Sequence, residues 1–445
     1  MPEPRISTDR VRLISSDFKF PKGIRRSRLV ERSPVFYGWI ILLVGTLGIM
    51  MTTPGQTVGV AVFVDSLVED LGVSRASVSL MYTLGTLAGA LVLPLAGRLL
   101  DRHGPRVGIV VIASLFALSC VWMGTVTNLL TLFIGFMLIR SLGQGALMLA
   151  SQHVINVWFV RRRGFAIGLS GVGFAAATAF APMLIGQLID AVGWRFAYGV
   201  LGAIVALTIL PLGALLFREH PERYGLRPDG RAPDRDEQEV AERRFTLVRA
   251  RRTRTFWLFV AAASCTSALG TGLIFHHFSI MEVNGISRSA ASSMFVTFGF
   301  VLAGAGFLTG MLMDRVQPTF LLSGSMTFLV AALLMAPQVA GANMLLGYGV
   351  LLGLMQGVQG AISATAHPYY FGRRHIGSIR GFVASVGIAS AAVGPLLFAV
   401  GHSVFGDYTK VLMLSAVLPI AIAAAVPFVR AESSRLAAGR PGETQ

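Results

Sequence analysis

The sequence contains few charged residues and almost no cysteine, and both shortages limit what the protein can be. Only 13% of its 445 residues are charged, whereas a soluble protein carries about a quarter. With 54% hydrophobic residues, the chain is predicted to lie in a lipid bilayer. Its two cysteines, Cys120 and Cys265, both fall in apolar runs, which excludes a disulfide framework. No side-chain spacing is typical of a metal site and no P-loop is present, so we expect neither a metal nor another cofactor.

Long apolar runs divide the sequence into twelve segments that could each cross a membrane. Each has about 20 residues or more, the length that a transmembrane helix needs, and none alternates like the strands of a membrane barrel. The predicted spans cover about residues 37–63, 77–99, 107–127, 130–158, 164–190, 196–217, 255–279, 289–312, 319–338, 342–370, 378–405 and 409–429. We therefore predict an all-α membrane protein with twelve transmembrane helices.

The net charge of +16 is concentrated on one side of this topology. Of the 38 Lys and Arg residues, 33 lie in the two tails and in the loops that share their side. Four lie in the loops of the opposite side or at the span ends beside them, and one, Arg140, lies deep inside a span. This positive-inside pattern places both termini in the cytoplasm of a multi-pass plasma-membrane protein, in a bacterium the inner membrane. It also favours a topology-setting role for the basic loops over binding of nucleic acid.

The two halves of the sequence follow the same design. A shift of 213 residues brings seven marked residues of the first half onto identical residues of the second. The pairs are Gly97 and Gly310, Asp101 and Asp314, Arg102 and Arg315, Pro105 and Pro318, Gly164 and Gly377, Gly168 and Gly381, and Pro182 and Pro395. The match indicates duplication of a six-helix unit, with two bundles around a central cavity. The predicted domains are a cytoplasmic basic tail (1–35), an N-terminal bundle (36–217), a cytoplasmic linker (218–254), a C-terminal bundle (255–430) and a cytoplasmic tail (431–445).

A motif rich in glycine and charge connects spans two and three. It runs Gly97-Arg-Leu-Leu-Asp101-Arg102-His-Gly104-Pro-Arg106, and a shorter copy, Gly310-Met-Leu-Met-Asp314-Arg315, follows span eight. The motif resembles the loop signature of the major facilitator superfamily, and the resemblance covers the chain from about Val35 to Arg430. In that family the cluster acts as a latch between the halves, which the resemblance assigns to both copies here. Asp101 could instead merely terminate its helix.

Arg140 lies inside the fourth span, where a charge in hydrocarbon costs on the order of 3 kcal/mol or more. Gln144 follows four residues later, so both side chains share a helix face, and the stretch Leu138 to Gly145 resembles the fourth-helix signature of the same family. About 15 Å separates Arg140 from the external end of the span, which places it close to the midplane. None of the 22 acidic residues lies in the middle of a span. Arg140 is therefore neutralised either by backbone carbonyls and Gln144, or by an anion that the protein carries.

Further polar side chains are predicted at membrane depth. Gln56 follows Pro54-Gly55, where the proline should break the first span and free carbonyl groups toward a cavity. Gln356 and Gln359 mirror Arg140 and Gln144 in span ten. The residues to which we assign substrate binding or coupling are Arg140, Gln144, Gln56, Gln356, Gln359, His276 and His277.

Histidines are the natural candidates for proton coupling, because imidazole titrates near neutral pH. His276 and His277 lie near the external end of span seven. His153 and His367 lie in the internal parts of spans four and ten. Each of the four could instead be a hydrogen-bonded interface histidine.

The first span resembles that of the monocarboxylate transporter-like branch of the family, in the stretches Phe36-Tyr37-Gly38-Trp39 and Pro54-Gly55-Gln56-Thr57. The resemblance implies transport of a lactate-like anion together with a proton. That branch typically carries an Asp and an Arg in span eight, but the matching positions here are Leu302 and Gly306. Arg140 is then the charge that remains to meet an anion.

Three functions are open from the sequence. The first is a secondary transporter that works by alternating access and carries a small organic anion, such as a monocarboxylate, with protons. The second is an exporter of neutral or amphiphilic compounds, and the orientation of Arg140 relative to the cavity separates the two. The third is an intramembrane enzyme, because the stretch Gly168-Leu-Ser170-Gly171 matches a short protease pattern. We expect a transporter rather than an enzyme. The expected partners are a small-molecule substrate, protons and the lipid bilayer, and the protein is expected to be a monomer.

Overall fold

The structure is a computed structural model that describes residues 27–159, 162–230, 245–313, 316–371 and 376–438. Regular secondary structure in these ranges is helical throughout. Within these ranges, twelve helical segments are long and apolar enough to cross a membrane, which confirms the predicted all-α fold with twelve spans. They are α1 (Gly38–Ala61), α2 (Arg75–Leu100), α3 (Arg102–Gly124), α4 (Leu129–Trp158), α5 (Arg163–Val192), α6 (Trp194–Leu216), α7 (Arg254–Phe275), α8 (Arg288–Leu312), α9 (Pro318–Met335), α10 (Ala342–Phe371), α11 (Ile376–Phe405) and α12 (Tyr408–Ala438).

An even number of spans brings both ends of the described chain to the same face of the bundle. That face also carries the turn between α2 and α3 and the segment after α6, and we call it the basic face. The opposite face, called the far face, carries two short helices, Val64–Leu71 and His277–Val283. Large apolar side chains are exposed on the spans, among them Leu91 (80%), Leu207 (78%) and Phe428 (81%). Such a surface suits lipid rather than water, and the chain is a multi-pass membrane protein.

A proline interrupts α1, as the sequence predicts. Gly38–Met50 is α-helical, Thr53–Gly55 forms one 3₁₀ turn, and the helix resumes at Thr57–Ala61. Gln56 between them is extended, with φ −81° and ψ 155°. The first hydrogen bond of the resumed helix runs from Val60 N to Gln56 O (3.0 Å). The carbonyl of Gly55 therefore lies outside the helical ladder and is left for another donor.

The turn between α2 and α3 explains one glycine of the loop motif. Gly104 has φ +78°, a conformation that side chains rarely adopt, and a Cβ there would lie 2.9 Å from Glu219 Oε1. Arg102 and Arg106 flank this turn and are exposed on the basic face. Of the other predicted latch residues, Asp314 and Arg315 lie outside the described residues. Gly97 and Asp101 lie in the described helix, but their surroundings are not described. The latch therefore stays a prediction.

The two halves of the chain pack tightly toward the far face. Gly299 of α8 lies against α5, where a Cβ would approach the Ala179 Cβ to 2.5 Å and the Ala175 carbonyl oxygen to 2.6 Å. Thr83 Oγ1 of α2 donates a hydrogen bond to Ala392 O of α11 (2.6 Å). These contacts join α5 to α8 and α2 to α11 in the far half of the spans.

The same helices separate toward the basic face. Among the described residues, a Cβ added at Gly168 or Gly171 of α5 would meet no atom within 4 Å, and the same holds at Gly304 and Gly310 of α8. The interface between the halves is therefore open on the basic face and closed on the far face.

An ion cluster links the halves on the far face. Asp65, in the short helix after α1, forms ion pairs with Arg75 at the start of α2 and with Arg288 at the start of α8, each at 2.8 Å. Arg288 also donates to the carbonyl of Val62 and lies 5.1 Å from the Phe278 ring centroid. We call Asp65, Arg75 and Arg288 the far-face ion cluster. Its bonds between Arg288 and the first half stabilise the closed far face.

Candidate functional site

A cavity of about 600 Å³ lies between the two halves. Its walls come from α1, α2, α4 and α5 on one side and from α7, α8, α10 and α11 on the other. It extends from Arg140 to Arg380, which lies just inside α11 at the basic face, and the far-face ion cluster does not line it. At ~30 Å³ per molecule, the space would hold about 20 waters.

Arg140 lines this cavity from α4 and is 4% exposed. Its Nε donates to Thr86 Oγ1 of α2 (3.1 Å), and its Nη1 donates to Gly55 O (3.0 Å) and Thr57 Oγ1 (3.4 Å) of α1. The carbonyl freed by the break in α1 thus becomes a ligand of the guanidinium. Neutral oxygen acceptors solvate the charge without cancelling it.

Tyr82 holds the other face of the guanidinium. Its ring centroid lies 4.8 Å from the Arg140 Cζ, within the range of a cation–π contact. Its hydroxyl is 2.8 Å from Thr57 Oγ1, so it also fixes one of the oxygens that Arg140 uses. These contacts orient Arg140 toward the cavity before any ligand binds.

Arg140 keeps hydrogen-bonding capacity for a ligand. Its hydrogen bonds use Nε and Nη1, and Nη2 has no hydrogen-bond partner among the described residues. No described carboxylate forms an ion pair with it. Because guanidinium binds carboxylates through a pair of N–H groups, this end of Arg140 suits an oxyanion.

The local backbone brings Arg140 to the break in α1. Residues Arg140–Leu147 form a π-helical segment within α4, a distortion often found at functional sites. A Cβ at Gly143 would lie 2.5 Å from the Phe116 ring and 3.3 Å from the Gly55 Cα. At Gly55 itself a Cβ would lie 2.3 Å from the carbonyl oxygen of Ile139. Glycine at both positions lets α1 and α4 approach closely enough for the Arg140 bond to Gly55 O.

All four predicted glutamines line the same cavity: Gln56, Gln144, Gln356 and Gln359. Gln56 Nε2 donates to Thr52 Oγ1 (3.0 Å). Gln359 is 7% exposed, and its Oε1 has no hydrogen-bond partner among the described residues; the same is true of Thr266 Oγ1 in α7. A buried polar atom left unpaired costs about 1–3 kcal/mol, so this wall is built to meet water or a ligand.

The two remaining predicted residues lie away from the cavity. His276 Nε2 donates to Pro395 O (2.8 Å), and its Nδ1 lies 3.2 Å from the Tyr408 hydroxyl. His277 Nε2 donates to Ala291 O (2.9 Å). Both rings are fully buried, and neither lines the cavity. The structure thus separates these histidines from Arg140 and the glutamines.

Sequence reasoning missed other polar residues of the cavity. The charge distribution assigns Arg380 to a basic loop, but it lies one turn inside α11 and lines the cavity, as does His367 of α10. Thr86 carries no signal of its own in the sequence, but it follows Tyr82 by four residues and therefore shares a helix face with this second neighbour of Arg140. That spacing is the signal that could have identified it.

Comparison with known proteins identifies relatives whose names describe transport of anions. The chain is 24% identical over 201 residues to a probable sulfoacetate transporter of Cupriavidus necator, covering 45% of each chain. It is 30% identical over 196 residues to monocarboxylate transporter 6 of Mus musculus, covering 43% of this chain and 40% of that one. It is 24% identical over 226 residues to the oxalate:formate antiporter of Oxalobacter formigenes, covering 50% and 51%. The matches thus span about half or less of these relatives.

The fold and the family follow from two further comparisons. A bacterial homologue of the human lysosomal transporter Spinster, in an inward-facing and occupied conformation, matches with a TM-score of 0.69 at 18% identity, covering 90% of this chain and 97% of that one. At this identity the match shows the fold alone. The family model for the Major Facilitator Superfamily matches residues 44–395, most of the chain. The protein therefore belongs to the Major Facilitator Superfamily.

Proposed function

We propose that this protein is a secondary transporter that carries a small organic anion, such as a monocarboxylate, together with protons by alternating access. The observation that carries the proposal is the position of Arg140, which lines the cavity between the halves with no carboxylate among the described lining residues. The orientation of Arg140 separates the anion transporter from the exporter of neutral compounds. Because Arg140 lines the cavity, its orientation favours the anion transporter.

The electrostatics of the cavity support the same choice. Thr86, Thr57 and Gly55 supply neutral oxygens to Arg140, so the formal charge at the site stays +1. In a low-dielectric surrounding that charge is stabilised further by a counterion. A hydrogen bond to a charged group contributes about 1.5–3 kcal/mol, and an oxyanion could form such bonds with Nη2 and with the amide of Gln144.

The names of the relatives support an anion as well. They describe transport of sulfoacetate, of monocarboxylates, and of oxalate with formate. These molecules differ in size and in the acid group, but each presents an oxyanion. A single arginine with glutamines around it could recognise that shared group.

Alternating access would use the two faces in turn. With the basic face in the cytoplasm, as the positive-inside pattern indicates, the structure is open to the cytoplasm. Opening of the far face requires the bonds from Arg288 to Asp65 and Val62 to break. The loop motif around Gly104 would then close the basic face, as the family resemblance implies. The cavity lies within one chain, so a monomer suffices.

Export of neutral or amphiphilic compounds is the second candidate. Several large apolar side chains line the cavity beside the polar ones, among them Leu93, Met148, Phe174, Phe298 and Ile388. They would suit an apolar solute. They would also suit the hydrocarbon part of a small organic acid.

Uptake into proteoliposomes tests the proposal. The panel consists of labelled acetate, lactate, oxalate and sulfoacetate, with and without an inward proton gradient. Arg140→Gln removes the charge within the site, and Arg249→Gln makes the same change at an exposed position on the basic face. We expect gradient-stimulated uptake of at least one acid, lost in Arg140→Gln and kept in Arg249→Gln. Transport of an acid that survives Arg140→Gln would remove Arg140 from the site, and a wild type that carries only amphiphiles would favour the exporter.

A further inference from the structure

His367 is one of the four histidines that the sequence offers for proton coupling, and it lines the cavity. It lies in α10, eight residues beyond Gln359, so the helical rise places it about 12 Å closer to the basic face. The residue is 3% exposed and lines the cavity together with Ser363 and Arg380.

A backbone bond fixes the tautomer of His367. Its Nδ1 lies 3.3 Å from the carbonyl oxygen of Ser363, which can only accept, so Nδ1 carries the hydrogen. In the neutral ring Nε2 is then an acceptor. Nε2 is buried and has no hydrogen-bond partner among the described residues.

The groups around His367 come from three helices. Phe259 of α7 packs against the ring, with centroids 6.1 Å apart, and Ser363 belongs to α10 itself. Among the described lining residues near this end of the cavity, Arg380 of α11 carries the other charge. No carboxylate among the described residues offsets these two basic side chains at the cavity.

The chemistry of the cavity leaves one group that exchanges protons near neutral pH. Its described lining contains three basic residues, Arg140, His367 and Arg380, and no Asp, Glu, Lys, Cys or Tyr. Arginine keeps its proton in proteins, whereas imidazole titrates at about pH 6.5. His276 and His277 lie outside the cavity with backbone partners on Nε2.

We infer that His367 takes up the co-transported proton at Nε2 and, once charged, forms with Arg380 a second binding site for the anion near the basic face. This inference rests on the proposed function. A proton from the aqueous phase adds to the Nε2 lone pair and gives imidazolium, which returns the same proton to the other aqueous phase after the halves have rocked. No other bond is made or broken.

Electrostatics couple the two ligands. Without an anion, the positive charge of Arg380 opposes a second positive charge on His367, whereas a bound oxyanion attracts both. The anion therefore strengthens proton binding, and by linkage a lower pH strengthens anion binding by the same factor. Coupling between two sites is usually 5- to 150-fold, and we expect on the order of tenfold here.

The test compares His367→Gln with His276→Gln in two assays. Gln keeps hydrogen-bonding capacity but cannot take up a proton. Counterflow of labelled lactate or oxalate exchanges anion for anion without net proton movement, and accumulation of the same anion under an inward proton gradient needs coupling. We expect His367→Gln to keep counterflow and lose gradient-driven accumulation, and His276→Gln to keep both. Retained accumulation in His367→Gln, or its selective loss in His276→Gln, would overturn the assignment.

A direct measurement keeps the inference separate from the transport proposal. Lactate or oxalate is added to the purified protein in weakly buffered detergent solution, and proton uptake is followed with a pH-sensitive dye. With tenfold coupling, the wild type should take up about half a proton or less per bound anion near pH 7, as should Arg249→Gln, and His367→Gln should take up none. An anion that binds without proton uptake by the wild type refutes the role of His367 and leaves anion transport standing. If the wild type binds neither lactate nor oxalate, the role of His367 and the proposed anion transport are both refuted.

Discussion

The far-face ion cluster should set how often the cavity opens to the far side. Asp65 forms one ion pair with Arg75 within the first half and another with Arg288 across the halves, and of these two pairs only the second must break on opening. In Asp65→Asn, the ion pair across the halves is lost while the fold of each half is kept. The far-open population should therefore rise.

The size of this effect follows from the exposure of the pair. The side chains of Asp65 and Arg288 are 21% and 36% exposed, so their attraction is screened and contributes about 0.2–1 kcal/mol. That changes the population by up to about fivefold. Arg288→Gln also loses the bond to Val62 O, so its effect should be larger, about 1–2 kcal/mol or 5- to 30-fold. The predicted order is Arg288→Gln above Asp65→Asn above wild type.

Labelling of a cysteine in the cavity measures this population. Thr271 lines the cavity from α7, and Cys120 and Cys265, both buried, are replaced by Ala before Thr271→Cys is introduced. A membrane-impermeant maleimide applied to the far face reacts only when that face is open, so its rate follows the far-open population.

Asp70→Asn is the matched control for Asp65→Asn. Asp70 pairs with Arg195 at 2.6 Å, and both residues belong to the first half. Its loss should leave the labelling rate unchanged. The reasoning fails if Asp65→Asn labels at the wild-type rate, or if Asp70→Asn accelerates labelling as much.

Two further substitutions test how the site is built. Thr86→Val removes the acceptor of Arg140 Nε with little change in shape and leaves a buried charged N–H unpaired. We expect a loss of about 1–3 kcal/mol of stability, measured by thermal unfolding in detergent, and a raised KM for the anion, measured by uptake kinetics. An unchanged KM and stability would contradict the hydrogen bond. Gly55→Ala should lower the melting temperature, because its Cβ would lie 2.3 Å from the carbonyl oxygen of Ile139. Gly171→Ala should not, because no described atom lies within 4 Å of a Cβ at that position. Equal melting temperatures for the two variants would argue against the close contact of α1 and α4.

Hydropathy and charge determine most of this fold, since a bilayer requires long apolar helices and positive loops on one side. The position of Arg140 follows from the same logic, because a charge at mid-depth must face polar groups. Its actual partners could not be read from spacing. The Gly55 carbonyl and Thr86 come from α1 and α2, and the contact depends on a break and a π-helical segment that place the two backbones close together.

For the histidines, depth along a helix does not predict whether the side chain faces the cavity. His276 and His277 lie where α7 ends and a short helix begins, so the helical period of α7 no longer predicts which way they face. Hydrogen bonds to Pro395 O and Ala291 O hold them outside the cavity. His367 enters the cavity because the halves separate toward the basic face, which is a property of the packing between halves rather than of one span.

Equilibrium binding tests the central claim, that Arg140 binds the oxyanion of the substrate, without requiring a complete transport cycle. The dissociation constant of a labelled acid from the uptake panel is measured for purified wild type, Arg140→Lys and Arg140→Gln. Loss of charge-assisted hydrogen bonds worth about 1.5–3 kcal/mol corresponds to a Kd that is about 10- to 150-fold weaker. The account predicts this loss for Arg140→Gln and a smaller one for Arg140→Lys, which keeps the charge without the paired N–H groups. An unchanged Kd in folded Arg140→Gln would contradict it.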